Sequence, residues 1–158
     1  MRFISWPLLA AFLLVGLVLE PASADKRQFR ITFDKTLSGQ PFSGRVYVIF
    51  SRNNPQPRTG PSWFNPERFV ARDVSGWLPG TQLEFSAKNT KAYTRPQGLK
   101  AGPILAYPEP LADMKLEGYR AQAVVRFNPH EREIGIGVGN GFSNVVTLDA
   151  DSAQESVE

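Results

Sequence analysis

Apolar and polar residues alternate along most of this chain with the period of two that belongs to strands. Phe29, Ile31 and Phe33 take turns with Arg30, Thr32 and Asp34, as in a strand with one buried face. The run from Gly44 through Arg45-Val46-Tyr47-Val48-Ile49-Phe50 has few polar breaks and is rich in β-branched and aromatic residues, which predicts a central strand buried on both faces. A third short strand is predicted over Phe69–Val74, a turn over Gly76–Gly80 and a further alternation over Gln82–Ser86. The clearest strand is Tyr119–Phe127. Tyr119, Ala121, Ala123 and Val125 fall on one of its faces, and Arg120, Gln122 and Arg126 mostly on the other. Asn144–Leu148 reads as a last strand.

Between these runs, Pro55, Pro57, Pro61 and Pro66 keep residues 51–66 out of any helix or ladder. Ala87–Pro110, with Pro96, Gly98, Gly102 and Pro103, reads mostly as loop with room for a short edge strand. Leu111–Leu116 suits one helical turn or irregular packed chain. No stretch beyond the first two dozen residues has a helical period of useful length. About six or seven short strands separated by Pro/Gly turns predict an all-β fold, a single antiparallel β-sandwich of immunoglobulin-like or fibronectin-like type. Tyr119, at the entrance of the penultimate strand after Leu116 and Gly118, suits the tyrosine corner of such sandwiches.

The N-terminus changes the setting. Arg2, the apolar run Leu8–Leu19 and the small residues Ala22-Ser23-Ala24 predict a signal peptide over residues 1–24, with cleavage after Ala24. The run is too short for a spanning helix, so no transmembrane segment is expected in the mature chain. The sandwich is then expected over 25–148. Residues 149–158 read as an acidic tail or the start of a further domain, since Asp149, Asp151, Glu155 and Glu158 carry no neighbouring base. There is no cysteine, so an exported domain must rely on its core rather than on disulfides. That suits a bacterial periplasmic or extracellular protein. Net charge is +3, and the bases outside the tail are scattered rather than clustered. Solvated surface explains them, and no nucleic-acid partner is expected.

Catalytic chemistry finds little support. The nearest string to a nucleophile elbow, Gly141-Phe142-Ser143-Asn144-Val145, lacks its second glycine. The single histidine, His130, lies in Asn128-Pro129-His130-Glu131-Arg132-Glu133, which reads as an exposed turn. One histidine and no cysteine exclude the usual zinc spacings, and Asp149 and Asp151 lack calcium-loop spacing. No catalytic residue, metal or cofactor is therefore expected. Gly135, Gly137, Gly139 and Gly141, with Ile136 and Val138 among them, follow no phosphate-binding pattern. They read as an irregular strand or long turn where backbone approaches closely.

The segment Gly60-Pro61-Ser62-Trp63-Phe64-Asn65-Pro66-Glu67 sets two large aromatics in a proline-framed loop. Trp63, Phe64 and Trp77 either close one end of the sandwich or, with Arg52 and Arg58 as a rim, form a platform for sugar rings. The same segment is one of four landmarks. Gly44-Arg45-Val46-Tyr47-Val48, Gly60 to Glu67, Tyr119-Arg120-Ala121-Gln122-Ala123-Val124 and Gly139-Asn140-Gly141-Phe142-Ser143 resemble successive parts of one region. That region is the N-terminal non-catalytic, β-rich part of secreted bacterial esterases, α/β-hydrolases similar to enterochelin esterase and esterase D. The resemblance covers roughly Phe29 to Leu148. It implies an accessory domain that docks on or orients a hydrolase domain or chain. None of the family's catalytic residues has a matching position here, so no esterase activity is expected of this chain alone. The alternative is an independent module that binds polysaccharide or cell envelope.

Overall fold

The computed structural model describes residues 27–61, 66–92, 104–149 and 154–157. These form an all-β sandwich of two sheets. The strands are β1 (Gln28–Ile31), β2 (Phe42–Ser51), β3 (Arg68–Trp77), β4 (Leu83–Ser86), β5 (Thr90–Ala92), β6 (Ile104–Tyr107), β7 (Arg120–Val125), β8 (Gly141–Phe142), β9 (Val146–Thr147) and β10 (Gln154–Val157). The small sheet has the order β10-β1-β4. The large one runs β5-β6-β3-β2-β7-β8, with β9 also on β7. Pairing is antiparallel except at β1–β10 and β5–β6, which are parallel. Among the described residues no helix is long and apolar enough to cross a membrane.

The unbroken apolar run of β2 is explained by its place at the centre of the large sheet. Val46, Val48 and Phe50 face the small sheet, while Tyr47 and Ile49 face the opposite side and pack with Ala71, Val124, Phe69 and Ile134. Both faces are covered, so alternation with polar residues would bury unpaired groups. In β7 the small side chains follow from register. Ala121 stands opposite Phe50 and Ala123 opposite Val48, which leaves space between the sheets for the larger partner. Phe29 from β1 fills that space, its ring 5.2 Å from that of Phe50.

The two ends of the sandwich are closed differently. At the end where β2 begins, Phe33, Phe42, Trp77 and Phe127 make an edge-to-face aromatic cluster with centroid spacings of 4.7 to 5.7 Å. At the end where β2 finishes, the turns between β6 and β7 bury Leu111, Met114 and Leu116, and Arg27 donates to the Met114 carbonyl at 2.6 Å.

Several expected boundaries shift. Strand β3 runs on to Trp77, which pairs with Phe42, so the turn begins at Leu78 rather than Gly76. A register shift between Phe42 and Gly44 and a positive φ at Gly76 let the strand continue past polar Ser75. The expected loop over 87–110 contains β5 and β6, joined in parallel, a pairing that leaves no hairpin signature in sequence. The expected strand over Asn144–Leu148 reduces to the two residues of β9, with β8 just before it. Strand β10 extends the small sheet past residue 148.

Candidate binding cleft

A polar cleft of about 580 Å³ opens at the end of the sandwich where β2 finishes and β3 begins. Its walls are the two feet of the β2–β3 loop (Ser51–Asn54 and Pro66–Arg68), the Tyr107-Pro108 step after β6, and Tyr119 before β7. Prolines exclude ladder pairing from the loop, so its polar side chains brace it instead. Ser51 Oγ donates to Glu67 Oε1 at 2.8 Å and accepts the Asn54 N–H at 3.1 Å. Asn54 Nδ2 donates to Thr59 Oγ1 and its Oδ1 accepts the Gln56 N–H, forming a local turn. Asn54 is thereby committed to the loop. The neighbouring Asn53 is exposed, and its carboxamide makes no hydrogen bond among the described residues.

Aromatic and charged groups complete the cleft. Tyr107 stacks on Phe69 with ring centroids 5.7 Å apart and planes at 18°. Arg68 donates to Glu109 Oε1 at 2.5 Å. That carboxylate, more than the Tyr119 hydroxyl, holds the Arg68 guanidinium above its ordinary pKa, against an opposing effect of burial. Two guanidinium carbons approach the Tyr119 ring, at 5.1 Å (Arg52) and 5.9 Å (Arg68) from its centroid. Arg52 Nη2 donates to the Glu117 carbonyl at 2.9 Å, and Arg120 Nη1 donates to the Arg52 carbonyl at 3.1 Å. The cleft thus offers an aromatic ring with one face stacked, an uncommitted carboxamide, a carboxylate and guanidinium donors, a mixture suited to binding a polar ligand.

Of the residues expected from sequence to form a platform, the described ones, Trp77, Arg52 and Arg58, are not placed together. Trp63 and Phe64 lie outside the described residues. Trp77 is only 7% exposed, packs edge-on against Phe33 and donates its indole N–H to the Thr81 carbonyl at 2.9 Å. Its face is taken up by the core, which is the structural one of its two expected roles, and it stands at the opposite end from the cleft. Arg58 is not a free rim residue either. Its backbone N–H reaches Gln122 Oε1 at 3.2 Å, its Nη1 reaches the Gly135 carbonyl at 2.7 Å, and its guanidinium lies 3.8 Å from the centre of the Phe142 ring. It latches the β2–β3 loop onto β7 and the loop that follows. Of the three that are described, only Arg52 lines the cleft.

That latch accounts for the first of the alternating glycines. A Cβ at Gly135 would lie 1.6 Å from the Arg58 carbonyl oxygen, so no side chain fits. Gly139 has φ +85°, a conformation that favours glycine. The run is a loop folded onto the outer face of β7, as close backbone approach implied. It leaves Ile136 and Val138 exposed. His130 is exposed as well, with its backbone N–H bonded to Asn128 Oδ1.

A second groove of about 640 Å³ lies at the far end, lined by Ile31, Phe33, Leu37, Val125 and Phe142 among others. Its lining is chiefly apolar. Among the described residues no group of three or more His, Asp or Glu side chains is placed to hold a metal ion.

Asn53, Glu67, Tyr107 and Tyr119 escape a reading of sequence alone, because they come from four separate segments. The available signal was the polar cluster Ser51-Arg52-Asn53-Asn54 at the end of a strand whose last six residues are buried, where the chain turns out toward solvent. Comparison with protein-family models, curated proteins and solved structures finds no match to this chain.

Proposed function

We propose that this chain is an exported, non-catalytic accessory domain that binds a carbohydrate or cell-envelope polymer in the polar cleft. In the setting implied by its resemblance to the N-terminal region of secreted esterases, it would hold a hydrolase domain near its substrate. The supporting observation is the composition of the cleft. A pyranose ring has an apolar C–H face and hydroxyls around its rim. Tyr107, stacked on Phe69, offers an aromatic surface for the former. Asn53 and Glu67, with Arg52, offer planar hydrogen-bonding groups for the latter. The cleft volume of about 580 Å³ suits a short stretch of sugar rings.

Titration of the purified domain with oligosaccharides, followed by calorimetry, tests this. Binding that weakens about tenfold in Asn53→Ala and in Tyr107→Ala, with folding intact, supports the reading. Unchanged affinity in both variants would remove the cleft from consideration. A p-nitrophenyl ester assay tests the non-catalytic part. Sustained turnover by the wild type that is lost in His130→Ala would contradict it.

A further inference from the structure

We infer that the cleft selects anionic glycans, those carrying carboxylate or phosphate groups, with Arg52 as the residue that meets the anion. This rests on the carbohydrate reading above and makes it more specific. The observation is a guanidinium at the mouth of the cleft, Arg52, that has no carboxylate partner among the described residues. Among the described residues the ion pairs are Arg45–Asp73 and Arg68–Glu109. Of the cleft's arginines, Arg68 is therefore matched by a carboxylate, but Arg52 is not. Arg52 donates to a backbone carbonyl and covers the Tyr119 ring, which orients the guanidinium without neutralising it.

Arg120 adds a second unmatched cation. It pairs with Ser51 across β2 and β7, and its guanidinium is bonded to the Arg52 carbonyl. The opposing charges are Glu67, whose Oε1 is engaged by Ser51, and Glu109, engaged by Arg68. Glu117 gives Arg52 its carbonyl, while its side chain is exposed. Arg52 thus has one N–H committed and the rest of a planar donor fork available at the mouth of the cleft. A carboxylate or phosphate accepts two parallel hydrogen bonds from such a fork, which a neutral hydroxyl does not. Tyr107 and Asn53 would hold the ring that carries the anion.

The test compares matched ligands on one protein. Galacturonic-acid oligomers, the same oligomers methyl-esterified, and phosphorylated mannose oligomers are titrated by calorimetry at low and at physiological salt. The inference predicts that one of the two anionic ligands binds at least about tenfold tighter than the ester and weakens as salt rises. It predicts that Arg52→Gln removes this preference and that Arg52→Lys restores part of it, with affinity for the acid falling by a larger factor than affinity for the ester in Arg52→Gln. Preference for the carboxylate or for the phosphate identifies the group, and either supports the inference. Ester and acid binding equally well would overturn anion selectivity while leaving the carbohydrate reading in place. Binding of none of these, nor of neutral oligosaccharides, would overturn both. A preference that survives Arg52→Gln would overturn the role of Arg52.

Discussion

Replacing Gln122 by leucine probes the link between the cleft loop and the sandwich. Gln122 is 1% exposed, one of the few buried polar side chains in the described structure. Its Oε1 accepts the Arg58 N–H and its Nε2 donates to the Ser143 carbonyl at 2.9 Å. Leucine has a similar volume, so packing is largely kept and the change is chiefly the loss of two hydrogen bonds. An N–H and a carbonyl are left without their partner. Each unsatisfied buried group costs about 1–3 kcal/mol. Ser143 is half-exposed and recovers part of this through water, so a total of about 2–3 kcal/mol is expected. For a domain of this size that lowers Tm by about 10 °C. Thermal unfolding followed by circular dichroism gives the first measurement, and hydrogen exchange at the Arg58 amide the second. Wild-type protein should protect that amide and the variant should not. A Tm change under about 2 °C with protection retained would refute the latch as a source of stability.

Other outcomes follow from the same geometry. Gly135→Ala should destabilise by about 2–4 kcal/mol in chemical denaturation, because the new Cβ would meet the Arg58 carbonyl and break the Arg58–Gly135 and Arg58–Phe142 contacts. Trp77→Ala should cost about 3–5 kcal/mol, whereas Trp77→Phe should lose little beyond the indole hydrogen bond, about 1 kcal/mol; glycan affinity should persist in the phenylalanine variant. Arg45→Ala should cost about 1 kcal/mol, since the bidentate pair with Asp73 is cross-strand but partly solvated. The Asp34 carboxyl is held below its usual range, chiefly by the Thr36 backbone N–H. Its contribution is therefore present above the unfolded-state pKa and lost as pH falls through the lower folded-state value. Asp34→Ala should flatten the acid limb of a Tm-against-pH curve, and an unchanged limb would contradict this.

Fold class was legible because burial imposes a local pattern. Phe29, Ile31 and Phe33 alternate since one face of their segment meets the core. The apolar run of β2 lies on a sheet covered on both sides. The doubly covered central strand and the role of the alternating glycines could also be read in advance. What could not be read depends on which distant segments meet. Parallel pairing of β5 with β6 and of β1 with β10 has no turn between the partners to announce it. Trp77 looked like a turn residue because Gly76 and Pro79 flank it, yet its place is set by Phe42 and Phe33 from other strands. The cleft was less legible still. Arg52 was singled out, but for its proximity in sequence to Trp63 and Phe64; its neighbours in space are Tyr119, Glu117 and Arg120. Arg58, marked as a rim residue for the same reason, is turned the other way by Gln122 and Gly135.

The binding role of the cleft is tested most directly by backbone amide NMR of the isotopically labelled domain during titration with an acidic oligosaccharide. Shift changes should saturate together and cluster at Ser51–Asn54, Glu67–Arg68, Tyr107 and Tyr119. Changes confined to the far groove around Leu37 and Phe142, or no saturable change at all, would contradict a ligand-binding cleft at this end of the sandwich.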